Sequence, residues 1–290
     1  MKKIRLISFF GFIFLLWANI IFSQTFQWTN VSTGAVGTYG VAVDNNGNCI
    51  ATGFCYGQAT FSGIQLTGYG ANDIFLVKYD SQGNIQWAKS AGGKSFYGDT
   101  GQNVCTDNNG NIFVTGFFSD SAHFDNYIIS SSSNMNGFIA KYNPNGNCLW
   151  VNKASASSAF CQDIATDNNG NCYVIGDFYD TLYIGNTSIV SAGLKDSYFA
   201  KFDPNGNFVW VKQIASDRSV YGYSIKTDTE NNIIVNGCYE RTVQLDNTTL
   251  VSNDTNCIFL AKYTSDGNLL WAEAIGGSVT TLATDKLNNI

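Results

Sequence analysis

A repeated set of residues restricts the fold of this 290-residue chain more than any other property. An Asp that opens a turn recurs at intervals of 63, 60, 61 and 57 residues, and a Lys-bearing strand and a Trp-bearing strand follow within each unit. The repeated residues are Asp44, Asp107, Asp167, Asp228 and Asp285; Gly47, Gly110 and Gly170; Lys78, Lys141, Lys201 and Lys262; and Trp87, Trp150, Trp210 and Trp271. A repeat of about 60 residues that consists of strands and turns predicts a β-propeller or another repeating β array.

Each unit contains about four strands: one that ends at the Asp, one that ends in Gly, the Lys strand and the Trp strand. The sequence therefore predicts an all-β domain over residues 24–290, with four full four-stranded blades of about 60 residues and partial strands at both ends. The blades are expected near 38–93, 100–156, 160–217 and 220–277, with the start of a fifth at 279–290. A variable stretch between the second and third strands makes each unit longer than a lean blade and leaves room for an extra short hairpin.

The recurring DNNG corners have two interpretations, a hairpin turn or a calcium loop. Asp at the first position caps its own turn, and Gly at the fourth supplies the left-handed residue of a bulged three-residue hairpin. A calcium loop requires its Gly later and a closing acidic residue, whereas an apolar strand follows here at once. The turn interpretation predicts positive φ at seven glycines: Gly47, Gly83, Gly110, Gly146, Gly170, Gly206 and Gly267.

The same turn type predicts how the Lys and Trp strands pair. With a bulged Gly, each Trp faces a small residue; the expected partners are Val77, Ala140, Ala200 and Ala261. A two-residue loop would instead place each Trp opposite a Lys. Pro144 and Pro204, at the second corner position, favour the first register.

The N-terminal residues 1–23 resemble a secretory signal peptide, with Lys2, Lys3 and Arg5 before an apolar run and Ser23 at the expected cleavage point. The alternative is an uncleaved membrane anchor. Cleavage removes three positive charges and no acids, which changes the formal net charge from −6 to −9. We therefore expect a secreted or cell-surface protein, no membrane span after cleavage and no nucleic-acid partner.

The repeat resembles the bacterial SBBP β-propeller repeat, whose units are similar to "D-x-x-GN-x-y-v-t-G … D-x-f-v-a-K-y … GN-x-x-W". The resemblance covers nearly all of the chain after residue 23, and a Gly pair follows the Trp strand at Gly92-Gly93 and Gly276-Gly277. The second and third units lack this Gly pair. The resemblance implies a propeller in an extracellular setting and carries over no catalytic residues.

No catalytic, cofactor or metal residues can be assigned from the sequence. His123 is the only histidine, which excludes His-based dyads and multi-His zinc sites within the chain. The repeated lysines are expected to lie over apolar neighbours and pair with carboxylates, although they could line a binding surface. Of the eight cysteines, Cys49, Cys148 and Cys172 occupy apolar repeat positions, and no disulfide can be assigned.

These features favour a binding or scaffold module for an extracellular protein or glycan over an enzyme. The alternatives are a propeller enzyme that acts on extracellular glycans, favoured by a carboxylate pair at the central channel, and a structural or adhesive array. Because FQWT at 26–29 and the motif at 279–290 are incomplete units, we also expect further repeats beyond Ile290.

Overall fold

The structure is a computed structural model that describes residues 28–131, 135–252, 257–277 and 281–285. The predicted signal peptide at 1–23 and most of the predicted fifth-unit start lie outside these residues. The described part consists of strands and turns, which confirms the all-β prediction. Among the described residues, no helix has the length and apolarity that crossing a membrane requires.

In the described part of the chain, four antiparallel sheets follow one another, each with four main strands, and each is called a blade below. The first blade contains β1 (Ser32–Val43), β2 (Cys49–Phe61), β3 (Ile64–Tyr79) and β4 (Ile85–Ala91). The second contains β5 (Thr100–Thr106), β6 (Ile112–Phe118), β9 (Asn136–Tyr142) and β10 (Cys148–Ser155). The third contains β11 (Ser158–Thr166), β12 (Cys172–Tyr179), β15 (Asp196–Phe202) and β16 (Phe208–Ala215). The fourth contains β17 (Val220–Thr227), β18 (Ile233–Tyr239), β21 (Cys257–Tyr263) and β22 (Leu269–Ile275).

The variable stretch of each later blade forms the extra hairpin for which the sequence left room. These hairpins are β7 (Ser121–Phe124) with β8 (Tyr127–Ser130), β13 (Thr181–Ile184) with β14 (Thr187–Val190), and β19 (Thr242–Leu245) with β20 (Thr248–Val251). The second and third hairpins pair with the last strand of the preceding blade, at Ala154↔Ile184 and Ile214↔Leu245. In the first blade the variable stretch continues β2 and β3 instead, and β1 therefore begins at Ser32 rather than near residue 38.

The hydrophobic core lies between adjacent blades. One cluster joins Ile50 and Leu76 of the first blade to Val114 and Phe138 of the second. Equivalent clusters join the second blade to the third and the third to the fourth. Because the second and third sheets each pack against a neighbouring blade on both faces, their middle strands β6, β9, β12 and β15 are buried almost throughout.

The corner glycines confirm the turn prediction. All seven have φ between +74° and +84°, and in the first corner Gly47 N–H donates to the Asp44 carbonyl while Asp44 N–H donates to the Asn48 carbonyl. Asp44 Oδ1 also accepts from the backbone N–H groups of Asn46 and Asn48, both at 2.9 Å. The oxygens that a calcium loop would direct at an ion are directed here at the turn itself.

The predicted cross-strand partners of the tryptophans are wrong. Each Trp lies opposite a Lys, as in the pair Trp87↔Lys78, and Val77 faces Ala88. The corner has the predicted three-residue bulged form. A second bulge at Gln86 then shifts the pairing of the Trp strand with the Lys strand by one residue. The same irregularity occurs in all four blades, at Gln86, Leu149, Val209 and Leu270. Cross-strand packing cannot account for this bulge; the contact of each Trp with the next blade, described below, does.

Candidate functional site

The repeated Asp and Lys meet inside each of three blades. Lys78 Nζ lies 3.1 Å from Asp44 Oδ2, and the equivalent distances for Lys141–Asp107 and Lys262–Asp228 are 3.9 and 2.8 Å. In the third blade, Asp167 accepts a hydrogen bond from the Tyr173 hydroxyl. Burial raises the pKa of Asp44, but hydrogen bonds from Asn48 and Lys78 outweigh it and lower the pKa overall.

The repeated Lys and Trp also reach the next blade. Lys141 Nζ and Trp150 Nε1 both donate to the Pro204 carbonyl, at 2.9 and 3.3 Å. The Trp150 ring covers Gly206 so closely that a Cβ added there would lie 2.6 Å from the ring. The contact recurs between the other blades: Trp87 lies over Gly146, Trp210 over Gly267 and Trp28 over Gly83. These contacts give the repeated residues a role in joining blades, which leaves them unsuited to binding a ligand.

The first strands of the four blades surround a central channel. A cavity of about 470 Å³ is lined by residues of β1, β5, β11 and β17 together with Thr281. A threonine hydroxyl at the end of each of β5, β11 and β17 donates to the preceding first strand, from Thr106 to the Val43 carbonyl, from Thr166 to the Thr106 carbonyl and from Thr227 to the Thr166 carbonyl. Thr284 donates to the Thr227 carbonyl in the same way, and residues 281–285 therefore lie where a fifth first strand would lie.

A polar cluster around Asp163 crosses the middle of the channel wall. Its carboxylate accepts from Asn103 Nδ2 of the second blade at 2.5 Å, and from Ser224 Oγ and Lys226 Nζ of the fourth blade at 2.6 and 2.8 Å. Asn103, Asp163 and Ser224 occupy the same repeat position, directly after a bulge in each first strand. This cluster connects three blades and holds one carboxylate with its charge compensated.

Aromatic side chains of all four blades lie on or beside the first strands, toward the end opposite the corners. We call this region the channel mouth; it comprises Tyr39, Phe54, Phe117, Phe160, Tyr221 and Tyr223, together with Gln102 and Gln162 of the first strands. The rings form three close pairs, with centroid distances of 5.8, 5.7 and 6.4 Å for Tyr39–Phe54, Phe117–Phe160 and Tyr221–Tyr223. Tyr39 is 59% exposed and the other aromatic residues are half-buried. The mouth therefore presents ring surfaces from all four blades to solvent.

An ion pair lies beneath the rim of the channel mouth. Lys195 Nζ pairs with Asp177 and lies 4.2 Å from the centre of the Tyr221 ring, 5.2 Å from that of Tyr179 and 5.4 Å from that of Phe160. Burial raises the pKa of Asp177, and Lys195 opposes the rise. Both side chains are more than nine-tenths buried, and the pair leaves no free charge at the mouth.

Sequence reasoning missed the channel mouth because its residues have no common type. The position five residues before the corner Asp holds Tyr39, Gln102, Gln162 or Tyr223, which breaks the repeat pattern where the other features keep it. The adjacent positions vary as well, so the sequence offered no signal at this position; the residues before it are Thr38, Gly101, Cys161 and Gly222, and those after it are Gly40, Asn103, Asp163 and Ser224. The bulge in each first strand lies at this position and turns its side chain out of the ladder.

The remaining candidate residues do not form a reactive centre in the described part of the chain. His123 is exposed on β7 and stacks on Tyr69. None of the eight cysteines, all of which lie in the described part, forms a disulfide, and burial raises the pKa of Cys55 to about 11 and that of Cys161 to about 12. No group of three or more His, Cys, Asp or Glu side chains that could hold a metal ion occurs among the described residues.

The chain is similar to two curated proteins, and no family model matches it. It is 27% identical to the uncharacterized WD repeat-containing protein L264 of Acanthamoeba polyphaga mimivirus over 84% of this chain, and 26% identical to the regulatory protein FlaEY of Caulobacter vibrioides over 75%. The chain spans 22% of the length of each relative. These relatives and the blade geometry support a β-propeller repeat protein, while the SBBP resemblance stays a prediction.

Solved structures give weaker likenesses. A protein of unknown function from Bacteroides caccae is 12% identical with a TM-score of 0.38, covering 85% of both chains. The calcium-binding protein regucalcin from Agrobacterium tumefaciens is 11% identical with a TM-score of 0.34, covering 83% of this chain and 75% of its own. BamB from Moraxella catarrhalis is 12% identical with a TM-score of 0.28, covering 86% of this chain and 80% of its own.

Proposed function

We propose that this chain is a secreted or cell-surface binding module that takes its ligand at the channel mouth. The observation that carries the proposal is the set of half-exposed aromatic side chains that all four blades place toward the same end of their first strands, opposite the corners. Binding sites combine apolar and aromatic walls with a few polar groups that fix orientation, and the mouth has both. The corner face offers no comparable surface, because its repeated residues are engaged in contacts between blades.

The chemistry of the channel mouth favours a neutral carbohydrate. Exposed ring faces suit the C–H face of a sugar, while the Gln102 and Gln162 amides can donate to and accept from hydroxyls. The charged groups nearby, Asp177 and Asp163, are already paired with Lys195 and Lys226. An ionic ligand would therefore lack a counter-charge there, and the net charge, −6 for the full chain and −9 after the expected cleavage, further disfavours an anion.

The lysine partners also favour binding over glycan hydrolysis. A glycosidase needs one carboxyl group that holds a proton and one that is free to attack or to activate water. Asp163 accepts several hydrogen bonds and pairs with Lys226, and Asp177 is buried beneath the rim beside Lys195. We propose no catalytic role for either residue.

A carbohydrate-binding screen followed by titration tests the proposal. We expect the purified protein to bind neutral polysaccharides or oligosaccharides, and we expect Tyr223→Ala and Phe54→Ala each to weaken binding about tenfold, as the loss of one aromatic contact of about 1.4 kcal/mol implies. Tyr183→Ala is the matched control, because Tyr183 is 61% exposed on the β13–β14 hairpin away from the mouth.

Two results would contradict the proposal. Equal affinities of the wild type and both mouth variants would place the site elsewhere. Capture of a protein partner with no affinity for any glycan would keep the binding role and exclude the carbohydrate. Export is tested separately, by N-terminal sequencing of protein recovered outside the producing cells, with Gln24 as the expected first residue.

A further inference from the structure

Two buried carboxylates meet where the first blade joins the second. Asp73 begins the apolar part of β3, and Asp99 directly precedes β5; both side chains are fully buried. Neither forms an ion pair with a basic side chain among the described residues. A pair of uncompensated anions in such a place is strongly unfavourable.

Comparison between blades shows what is unusual about Asp73. The equivalent residues are Asn136, Asp196 and Cys257. The Oδ1 atoms of Asn136 and Asp196 each accept the backbone N–H of the residue 20 positions later, Ala156 or Ser216. In the first blade the corresponding donor, Gly93 N–H, points instead to Asp99 Oδ2 at 2.8 Å. Asp73 Oδ1 is consequently buried with no hydrogen-bond partner.

Asp99 accepts the Gly93 N–H that the repeat would otherwise direct at Asp73. Its repeat position holds Val36, Ala159 and Val220 in the other blades, and a carboxylate there is peculiar to this joint. Gly92 lies between the two acids: a Cβ on Gly92 would lie 2.3 Å from Asp73 Oδ1 and 2.9 Å from Asp99 Oδ2. The unpartnered oxygen of Asp73 and an oxygen of Asp99 thus face the same small space.

The hydrogen bonds at the joint indicate a proton between these oxygens. Asp73 Oδ2 accepts the backbone N–H groups of Tyr69 and Gly70, and Asp99 Oδ1 accepts that of Ser119. Only Asp73 Oδ1 lacks a donor, and a proton carried by Asp99 Oδ2 supplies one. A calcium ion would need six to eight oxygen ligands in place of these N–H contacts.

We propose that Asp73 and Asp99 share one proton, and that loss of this proton as the pH rises through neutrality loosens the connector at 92–99. This connector carries Phe96, which is 90% exposed, and Tyr97, which is 64% exposed. Its packing depends on the Gly93–Asp99 hydrogen bond and on the backbone bridge between Gly92 and His123.

The surrounding titratable groups do not supply a compensating charge. Cys55 of β2 lies beside Asp73, and burial raises the pKa of its thiol to about 11, so the thiol stays neutral. Asp120, after β6, adds negative charge near Asp99. The ring of His123 on β7 stacks on Tyr69, and Lys94 and Tyr97 lie on the connector itself.

The direction of the pH effect follows from the raised pKa of Asp99. Burial raises this pKa from 3.8 to about 7, and the charges of Asp73 and Asp120 add to the rise. A carboxyl group that holds its proton more tightly in the folded state stabilises the fold at acidic pH, and this contribution falls as the pH rises from the unfolded value to the folded one. Between these two pKa values, the folding equilibrium constant falls about tenfold for each unit of pH.

Asp73→Asn tests the proposal because the side-chain amide of Asn can donate the hydrogen bond that the shared proton supplies in the wild type. Its Oδ1 can keep the Tyr69 and Gly70 donors while Nδ2 donates to Asp99, and Asn136 shows that the repeat accepts Asn at this position. Hydrogen–deuterium exchange of residues 92–99, corrected for the intrinsic pH dependence of exchange, is compared between about pH 5 and about pH 8 together with the urea midpoint. We expect the exchange protection of residues 92–99 to fall at the higher pH in the wild type and to stay constant in the variant. At about pH 8 we expect the variant to have a higher urea midpoint than the wild type.

The matched control is Asp196→Asn in the third blade. Asp196 accepts from Ala192 N–H, Gln213 Nε2 and Ser216 N–H, so an amide NH₂ meets a donor in either orientation. We expect this variant to be less stable than the wild type at every pH and to retain the pH response of the connector. An Asp73→Asn protein that is less stable than the wild type at pH 8, or one that keeps the response, would overturn the proposal. So would a rise in the wild-type midpoint on adding calcium chloride that Asp73→Asn abolishes, since that result would identify a cation site.

Discussion

The contact between each Trp and the corner of the next blade leads to a quantitative prediction for two glycines of the third blade. Gly170 and Gly206 have nearly the same backbone conformation, with φ of +78° and +84°. They differ in what surrounds them. A Cβ on Gly170 would lie 3.7 Å from its nearest neighbour, Pro204, whereas a Cβ on Gly206 would lie 2.6 Å from the Trp150 ring.

Replacing each glycine with Ala therefore separates backbone strain from the contact between blades. Gly170→Ala should destabilise the fold by about 1 to 2 kcal/mol, the cost of a Cβ in the left-handed region. Gly206→Ala should destabilise the fold by about 1 to 3 kcal/mol more than Gly170→Ala does, because the Trp150 ring must move. Urea denaturation followed by circular dichroism measures both free energies of unfolding, with m-values compared to verify that the unfolding transition is unchanged.

A double-mutant cycle with Trp150→Ala identifies the source of the difference. Without the ring, Gly206→Ala should cost no more than Gly170→Ala, which gives a coupling energy of about 1 to 3 kcal/mol between positions 150 and 206. Equal losses for Gly170→Ala and Gly206→Ala in the wild-type background, or a coupling energy near zero, would refute the proposed role of the Trp in joining blades.

Three further predictions concern other parts of the molecule. Asp163→Asn should destabilise the fold by about 2 to 3 kcal/mol, because it leaves Lys226 uncompensated, and Asn103→Ala, which removes one neutral donor, should cost less; urea midpoints measure both. The pKa of Asp228 is lowered because hydrogen bonds from Lys262 and Asn232 outweigh the effect of burial; stability should therefore be lost as the pH falls below about 4, and Asp228→Asn should reduce that acid sensitivity in melting experiments. Iodoacetamide should modify Cys161 and Cys172 slowly in the native protein and fully in urea, since burial raises the pKa of both thiols, as mass spectrometry can show.

The sequence predicted most of the fold because the repeat aligns four independent copies of each turn and strand. Asp at the first corner position and Gly at the fourth restrict the local backbone so strongly that seven φ values could be stated in advance. The Trp register could not be predicted in this way. The bulge at Gln86 accompanies the hydrogen bond from Trp87 to the Pro144 carbonyl of the next blade, which is 57 residues from Trp87 and outside any local pattern.

The same distinction explains what the sequence revealed about sites. Lys78 and Asp44 were recognisable as structural because they recur, and recurrence in every blade is typical of contacts that build the array. Tyr39, Gln102, Gln162 and Tyr223 share a place only through the fold, at the equivalent bulge of each first strand. Asp73 and Asp99 are ordinary acids in the sequence, and their competition for Gly93 N–H depends on the packing between two blades.

The location of the ligand tests the functional account most directly. Hydrogen–deuterium exchange of the protein with and without a bound neutral oligosaccharide would map it onto the blades. The account predicts protection around the bulges of β1, β5, β11 and β17, at residues 37–40, 100–103, 160–163 and 220–224, with no change at the corners. Protection at the corners 44–48 and 107–111, or on the outer hairpins alone, would contradict a binding site at the channel mouth.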